Sequence, residues 1–220
     1  MISALIFLIG LKAAKNDITQ CYGESFYKDF KARAKREYRA IRPQVPDIGD
    51  SIFKFNYAFT PAYIAWYRSF RVMGLDRAGT VELIWSINED MIRLIPSWLL
   101  KRYGTKIYLG GFRKRAPGHA VKSAQNDLHE YDYKIRFREI DGNAFEIDIY
   151  ACGMKKLCEK LHASDLLPGV CRLDYLVSHY MGCGFYRTKT LGDGDDCCNC
   201  RYEMMGDCAW EPERGFEDRK

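Results

Sequence analysis

The chain has 220 residues, 47% of them apolar and 14% aromatic, and a formal net charge of +5. That composition supports an enclosed core and excludes a disordered chain, while the length allows one domain or two small ones. Nine cysteines, an odd number, with no signal peptide argue against a secreted disulfide framework and for a cytoplasmic protein with reduced thiols.

The apolar start ISALIFLIG falls short of the roughly 20 residues that cross a bilayer. It lacks a basic flank and a small-residue cleavage site, and LKAAKND continues it as an amphipathic helix. A second helix is expected from Tyr22 to Ile41, ending before Arg42-Pro43 because proline disfavours helical geometry in the residue before it. It holds most of KDFKARAKREYRAIRP, where seven Lys or Arg face two acids. Tyr and Phe at helical spacing form its buried side, so the charges read as a solvated face. No aromatic-rich basic strand and no finger spacing accompany them, and nucleic acid is not an expected partner. RPQVPDIGD reads as a linker.

TPAYIAWYRSF begins another helix. The next starts within GTVELIWSINEDMIRLIP, with Thr80 as N-cap and an apolar stripe of Leu83, Ile84, Ile87, Met91, Leu94 and Ile95, and Pro96 ends or kinks it. GGFRKRAPGHAVKSAQNDLHE is taken as a basic connection. The period then shifts to two: Tyr131, Tyr133, Ile135 and Phe137 alternate with charged residues, as do Phe145, Ile147 and Ile149, and Asp141-Gly142 joins the two strands in a hairpin. MKKLCEKLHA and, after the cap signal Ser164-Asp165, LLPGVCRLDYLVSHYMG are helices. GFYRTKTL and CCNCRYEM follow as a second pair of strands around GDGDD. The expected fold is α+β: N-terminal helices, then a small antiparallel sheet of two hairpins with two intervening helices. The expected division is a helical segment and linker over 1–50, a single α+β domain over 51–210 and a frayed tail over 211–220.

Three cysteines crowd RTKTLGDGDDCCNCRYE. In a strand, Cys198 and Cys200 share one face while Cys197, Asn199 and Arg201 take the other, and the chain has no C-x2-C pair, so a zinc knuckle is not the preferred reading. In CRLDYLVSHYMG, Cys171, Asp174, Ser178 and Met181 line one helical stripe. A carboxylate on an apolar face needs a partner, and Arg187 is the obvious nearby candidate in chain order. The pair is either a structural lock or a proton-handling and ligand-orienting site. Cys171 and Cys198 are the best-placed thiols for nucleophilic work, with no base evident in the sequence. Arg187 and Lys189 share one strand face and Thr188 and Thr190 the other, and the arginine suits a substrate carboxylate. His119, His129, His162 and His179 form no recognisable dyad or metal spacing.

ELIWSINEDMIRLIP, LLPGVCRLDYLVSHYMG and above all RTKTLGDGDDCCNCRY resemble the L-2-amino-thiazoline-4-carboxylic acid hydrolase family, common among anaerobic bacteria, over most of residues 55 to 203. Cys171 and Asp174 fit its C-x2-D helix; Arg187, Thr188, Thr190, Leu191, Gly194, Asp196, Cys198 and Arg201 fit its ending. Asn199 stands for the family's usual Asp, Cys200 for its usual Phe, and Tyr202 for its last Phe. The resemblance implies hydrolytic opening of a small cyclic amidine, a thiazoline carrying an amine and a carboxylate, to a carbamoyl-cysteine. It implies Cys198, Asp174, Asp196 and Cys171 as catalytic candidates, and Arg187, Thr188, Thr190, Arg201 and Asn199 as substrate-binding ones. The expected partner is a small-molecule substrate, without a membrane span; no cofactor is predicted, a metal is not preferred, and a divalent ion stays open. The alternative reading is a non-catalytic small-molecule-binding or sensory domain, similar to the 4-vinyl-reductase-like domains, with Cys198 and Cys200 lining an apolar pocket.

Overall fold

The computed structural model of the chain describes residues 2–208, and the expected tail lies outside the described residues. Two helices come first, α1 (Ile2–Ala13) and α2 (Lys15–Ile41). Backbone bonds from Ala14 to Gly10 and from Ile18 to Ala14 carry the first helix through their junction. The chain reverses at Gly23, whose φ of 87° suits a residue without a Cβ. The arms of this hairpin are tied where the Tyr27 hydroxyl donates to the Leu11 carbonyl at 2.8 Å and the Tyr38 hydroxyl to Ser3 Oγ at 3.0 Å. The second arm ends at Ile41, as the Arg42-Pro43 pair predicts, and a 3-10 turn covers Arg42–Gln44.

After the short α3 (Lys54–Tyr57), α4 (Thr60–Val72) runs through the middle of the helical layer, with Trp66 and Phe70 fully buried. Helix α5 (Arg77–Arg93) starts a turn earlier than Thr80. Asp76 is the N-cap, its carboxylate accepting from Gly79 N at 2.8 Å, and Thr80 donates its hydroxyl back to the Asp76 carbonyl. Leu83, Ile84 and Ile87 are buried as expected, but Leu94 and Ile95 are exposed, because α5 has ended before them. Pro96 then caps α6 (Ser97–Leu99), a π-helix spans Leu100–Leu109, and α7 (Gly110–Ala124) follows without a break.

The segment taken as a basic connection is therefore helical. Gly110, Gly111 and Pro117 read as breakers, but tertiary contacts override them. His119 Nε2 lies 2.8 Å from the Tyr133 carbonyl and Ser123 Oγ accepts from Ile135 N at 3.0 Å, so α7 is laid along the first strand.

That strand, β1 (Lys134–Glu139), pairs antiparallel with β2 (Ala144–Ala151); the Asp141 carboxylate accepts from Asn143 N and Ala144 N in the turn. Helix α8 (Gly153–Lys160) buries Leu157 and Cys158. The single long helix expected next is broken into a 3-10 turn (Ser164–Leu166), α9 (Leu167–Val170) and α10 (Leu173–Met181). Strand β3 is only Gly184–Tyr186, and β4 is Cys198–Glu203; the antiparallel sheet has the order β1-β2-β4-β3. The architecture is α+β, with N-terminal helices and a four-stranded sheet later in the chain.

Arg187 to Cys197 is a loop, so RTKTL is not strand and its expected alternation fails: Arg187 and Thr190 turn inward while Thr188 and Lys189 are exposed. Strands β2 and β4 keep the expected period of two. Phe145, Ile147 and Ile149 of β2 lie opposite Tyr202, Cys200 and Cys198 of β4 on the face toward the helices, and Glu146 and Asp148 lie opposite Arg201 and Asn199 on the other. One buried cluster runs from Ile6 to Cys183, from the first helix to the end of α10.

Candidate functional site

Helix α10 places Asp174 in its first turn, and Arg187, directly after β3, folds back onto it. Arg187 Nη1 donates to Asp174 Oδ2 at 2.8 Å and Nη2 to the Cys171 carbonyl at 2.6 Å. The Tyr175 and Phe185 rings flank the guanidinium at 5.6 and 5.4 Å, and the Tyr175 hydroxyl donates to the Arg187 carbonyl at 3.0 Å. The partner inferred from chain order is thus in place. Two of its nitrogens are engaged and its side chain is 2% accessible, so Arg187 orients Asp174. Its Nε is buried without a hydrogen-bond partner among the described residues.

Asp174 is the less enclosed member. Its side chain is 38% accessible, yet burial raises its pKa, outweighing the opposing pull of Arg187. The carboxylate is thus partly open to solvent while protein supplies much of its surroundings. Tyr63, Tyr108 and Tyr202 lie within electrostatic reach of it, and burial raises all three phenols, Tyr108 to about 12. Tyr63 and Tyr108 are themselves anchored, donating to Asn88 Oδ1 at 2.8 Å and Asn56 Oδ1 at 3.1 Å. These tyrosines come from α4, the π-helix and β4, and sequence reading missed the first two because a lone Tyr on a helix carries no motif.

The thiols divide by environment. Burial pushes Cys171 up to about 11 and Cys152 to about 12, and it raises Cys200 further. These three are neutral thiols at physiological pH. Cys198 Sγ accepts the Leu191 N–H at 3.2 Å and lies 3.5 Å from Thr190 Oγ1. Thr190 also organises the GDGDD loop, donating its N–H to Asp195 Oδ2 at 2.7 Å and accepting Asp193 N and Asp195 N at its carbonyl. Gly192 lies against Cys171 Sγ, where a Cβ would come within 2.6 Å, so this glycine serves close packing.

The remaining candidates are not brought to the pair. Asp196 is exposed and salt-bridged to Lys189 at 3.0 Å, which lowers its pKa. Arg201 faces Glu146 across the sheet and reaches Glu203 at 3.3 Å. Asn199 Oδ1 accepts Thr188 N and Lys189 N at 3.0 and 2.7 Å while Nδ2 donates to Thr188 Oγ1 at 2.7 Å, a clamp on the loop. Thr188, Asn199 and Arg201 border an outer cleft of about 420 Å³, with Arg138, Glu146 and Asp148 across it and Arg187 and Cys200 among its lining. The sequence candidates therefore divide: Cys171, Thr190 and Cys198 lie with Asp174 and Arg187, Thr188, Asp196, Asn199 and Arg201 lie toward the outer side, and Arg187 also reaches the outer cleft. Among the described residues no three His, Cys, Asp or Glu side chains are grouped to hold a metal.

No curated protein matches the chain. A solved structure reported as "Modulating Heme Redox Potential Through Protein-Induced Porphyrin Distortion" aligns over 96% of this chain and 98% of its own, with 11% identity and a TM-score of 0.33, a likeness too slight to carry an argument. Residues 105–202, which include every candidate site residue, match the model of the family described as L-2-amino-thiazoline-4-carboxylic acid hydrolase.

Proposed function

We propose that the protein is a hydrolase that opens a small cyclic amidine, with L-2-amino-thiazoline-4-carboxylate as the first substrate to try, at Asp174. The observation that carries this reading is the state of Asp174: one oxygen held by a buried Arg187, the side chain accessible, and its pKa raised by burial. Such a carboxylate suits general base work, because its geometry is fixed while a proton can still come and go.

In this reading a water bound beside Asp174 attacks the ring carbon between nitrogen and sulfur. Asp174 takes its proton, the ring nitrogen gains one, and loss of sulfur as a thiol from the tetrahedral carbon leaves the carbamoyl product. Arg187 keeps the Asp174 carboxylate aimed throughout and has no contact with the substrate. Cys198 is the cysteine retained as an alternative nucleophile, since burial holds Cys171 and Cys200 as neutral thiols.

Incubation with the thiazoline acid, followed by mass spectrometry of ring loss, is the direct test. Asp174→Asn is expected to lower the rate by roughly 100-fold or more, the usual weight of a positioned acid or base. A full rate in that variant sinks the assignment, and loss of turnover in Cys198→Ala with accumulation of no intermediate in wild type separates structural from covalent roles.

A second reading, a binding or sensory domain without turnover, draws support from the buried thiols and phenols near Asp174, whose pKa values burial raises. Native mass spectrometry of the purified protein distinguishes the two, since a sensor retains an unchanged ligand.

A further inference from the structure

Helix α1 is apolar on both of its faces. Ile6, Phe7 and Leu11 are buried on one side, with Phe7 stacked on Tyr38 at 4.2 Å. On the other, Ile2, Leu5 and Leu8 stand 47%, 58% and 55% exposed, spaced three apart so that they form a single stripe. An amphipathic surface helix carries polar residues there. The stripe runs directly into a groove of about 310 Å³ between α1 and α2, where Lys12, Lys15, Lys31 and Lys35 surround Leu8 and Leu11 and no carboxylate takes part. None of these four lysines makes an ion pair among the described residues.

A second segment adds to the same end of the molecule. Gly10 lies against Met91, and Asp17 accepts from Ser86, so the first helix runs antiparallel to α5 and its beginning points toward that helix's end. There Leu94, Ile95 and Trp98 are exposed at 63%, 42% and 64%.

We propose that this end of the protein docks on an anionic lipid surface, the aliphatic stripe of α1 entering the boundary between headgroups and acyl chains and the lysines meeting lipid phosphates. The charge pattern chooses this occupant. A second copy seated on the face by two-fold symmetry would bring the lysine groups of both copies together, and a nucleic acid offers nothing to three exposed aliphatic side chains. No described helix is long and apolar enough to cross a membrane, so the contact is one of lying on the surface.

Flotation with vesicles of phosphatidylcholine mixed with phosphatidylglycerol, against phosphatidylcholine alone, tests this on the full chain. The protein is expected to float with the anionic vesicles and to be released by salt. Leu5→Asn with Leu8→Asn should abolish flotation with the thermal melt preserved, since both side chains are already in solvent. Lys12→Gln and Lys31→Gln should each weaken binding roughly fivefold, the effect of losing about 1 kcal/mol of charge contact at a membrane surface. Three results overturn the proposal: no flotation with anionic vesicles, equal flotation with phosphatidylcholine alone, or a dimer in solution that the Leu5 and Leu8 substitutions dissociate, which gives the face to a second copy.

Discussion

Asp174 and Arg187 illustrate how an ion pair can be asymmetric. Arg187 is sealed in, cannot shed its proton, and has its charge stabilised by Asp174 beside it against the opposing effect of burial. Asp174 is partly accessible and able to neutralise itself. Removing the acid should therefore hurt more than removing the base: Asp174→Ala strands a buried cation and is expected to cost about 3–5 kcal/mol. Arg187→Met, which keeps the packed stem, should cost about 1–2 kcal/mol. Urea unfolding of both variants checks the order, and an equal or reversed cost contradicts the asymmetry. The pH dependence follows from the same environment. Asp174 holds its proton more readily folded than unfolded, so its contribution to stability is full below its ordinary value of 3.8 and is lost as the pH rises through the higher folded value. Asp174→Asn should remove that decline from unfolding midpoints measured across the acid range. Should the proposed base role hold, the acid limb of the rate profile sits above the ordinary carboxylate range and disappears in the same variant.

At the scale of elements, close approach sets what the helices tolerate. In α9, a Cβ at Gly169 would collide with Val81 of α5, and one at Gly153 would collide with the Tyr131 carbonyl where α8 begins. Gly118 in α7 has nothing within 4 Å. Gly169→Ala is expected to destabilise by about 1–3 kcal/mol through overpacking, whereas Gly118→Ala should stabilise by about 0.5–1 kcal/mol through helix propensity. Thermal melts of the two variants should move in opposite directions. The cap of α5 offers a third measurement: Asp76→Ala leaves Gly79 N without its acceptor and should cost about 1 kcal/mol, while Thr80, the residue that sequence favours for this role, should show no capping loss. Asn199 also acts at this scale. In place of the family's usual Asp, it fastens the loop after β3 by three hydrogen bonds, so the departure falls on a clamp and not on the Asp174 pair.

For the whole molecule, burial decides which of the nine cysteines react. Cys21 is exposed, Cys152 and Cys171 are half-buried with their pKa values raised by burial, and the other six are buried. A disulfide reagent at neutral pH should modify Cys21 first, and Cys21→Ser should remove that fast phase; several equally fast thiols would contradict the packing described. Unfolding should release the rest together. The α+β order, the first hairpin of the sheet, the end of α2 at Ile41 and the inward face of β4 were all legible in the sequence, because each rests on a local rule of period, turn chemistry or proline geometry. The pairing of Asp174 with Arg187 was legible too, since a carboxylate on an apolar stripe demands a counter-ion and few cations lie near.

Sequence determined by itself what short-range physics controls: where period two replaces helical spacing, which residues cannot continue a helix, and which β4 side chains share a face. It also carried the family motif, whose residues sit close together in the chain. Tertiary structure alone decided the rest. It made Gly110–Ala124 a helix by laying it on β1, shortened β3 to three residues so that Arg187 could turn inward, and left Asp196 exposed on the loop with Lys189. It brought Tyr63, Tyr108 and Tyr202 from three distant segments around Asp174. The physical reason is common to all of these: burial and charge act between residues that no local pattern connects, so their outcome exists only once the helices and sheet have packed.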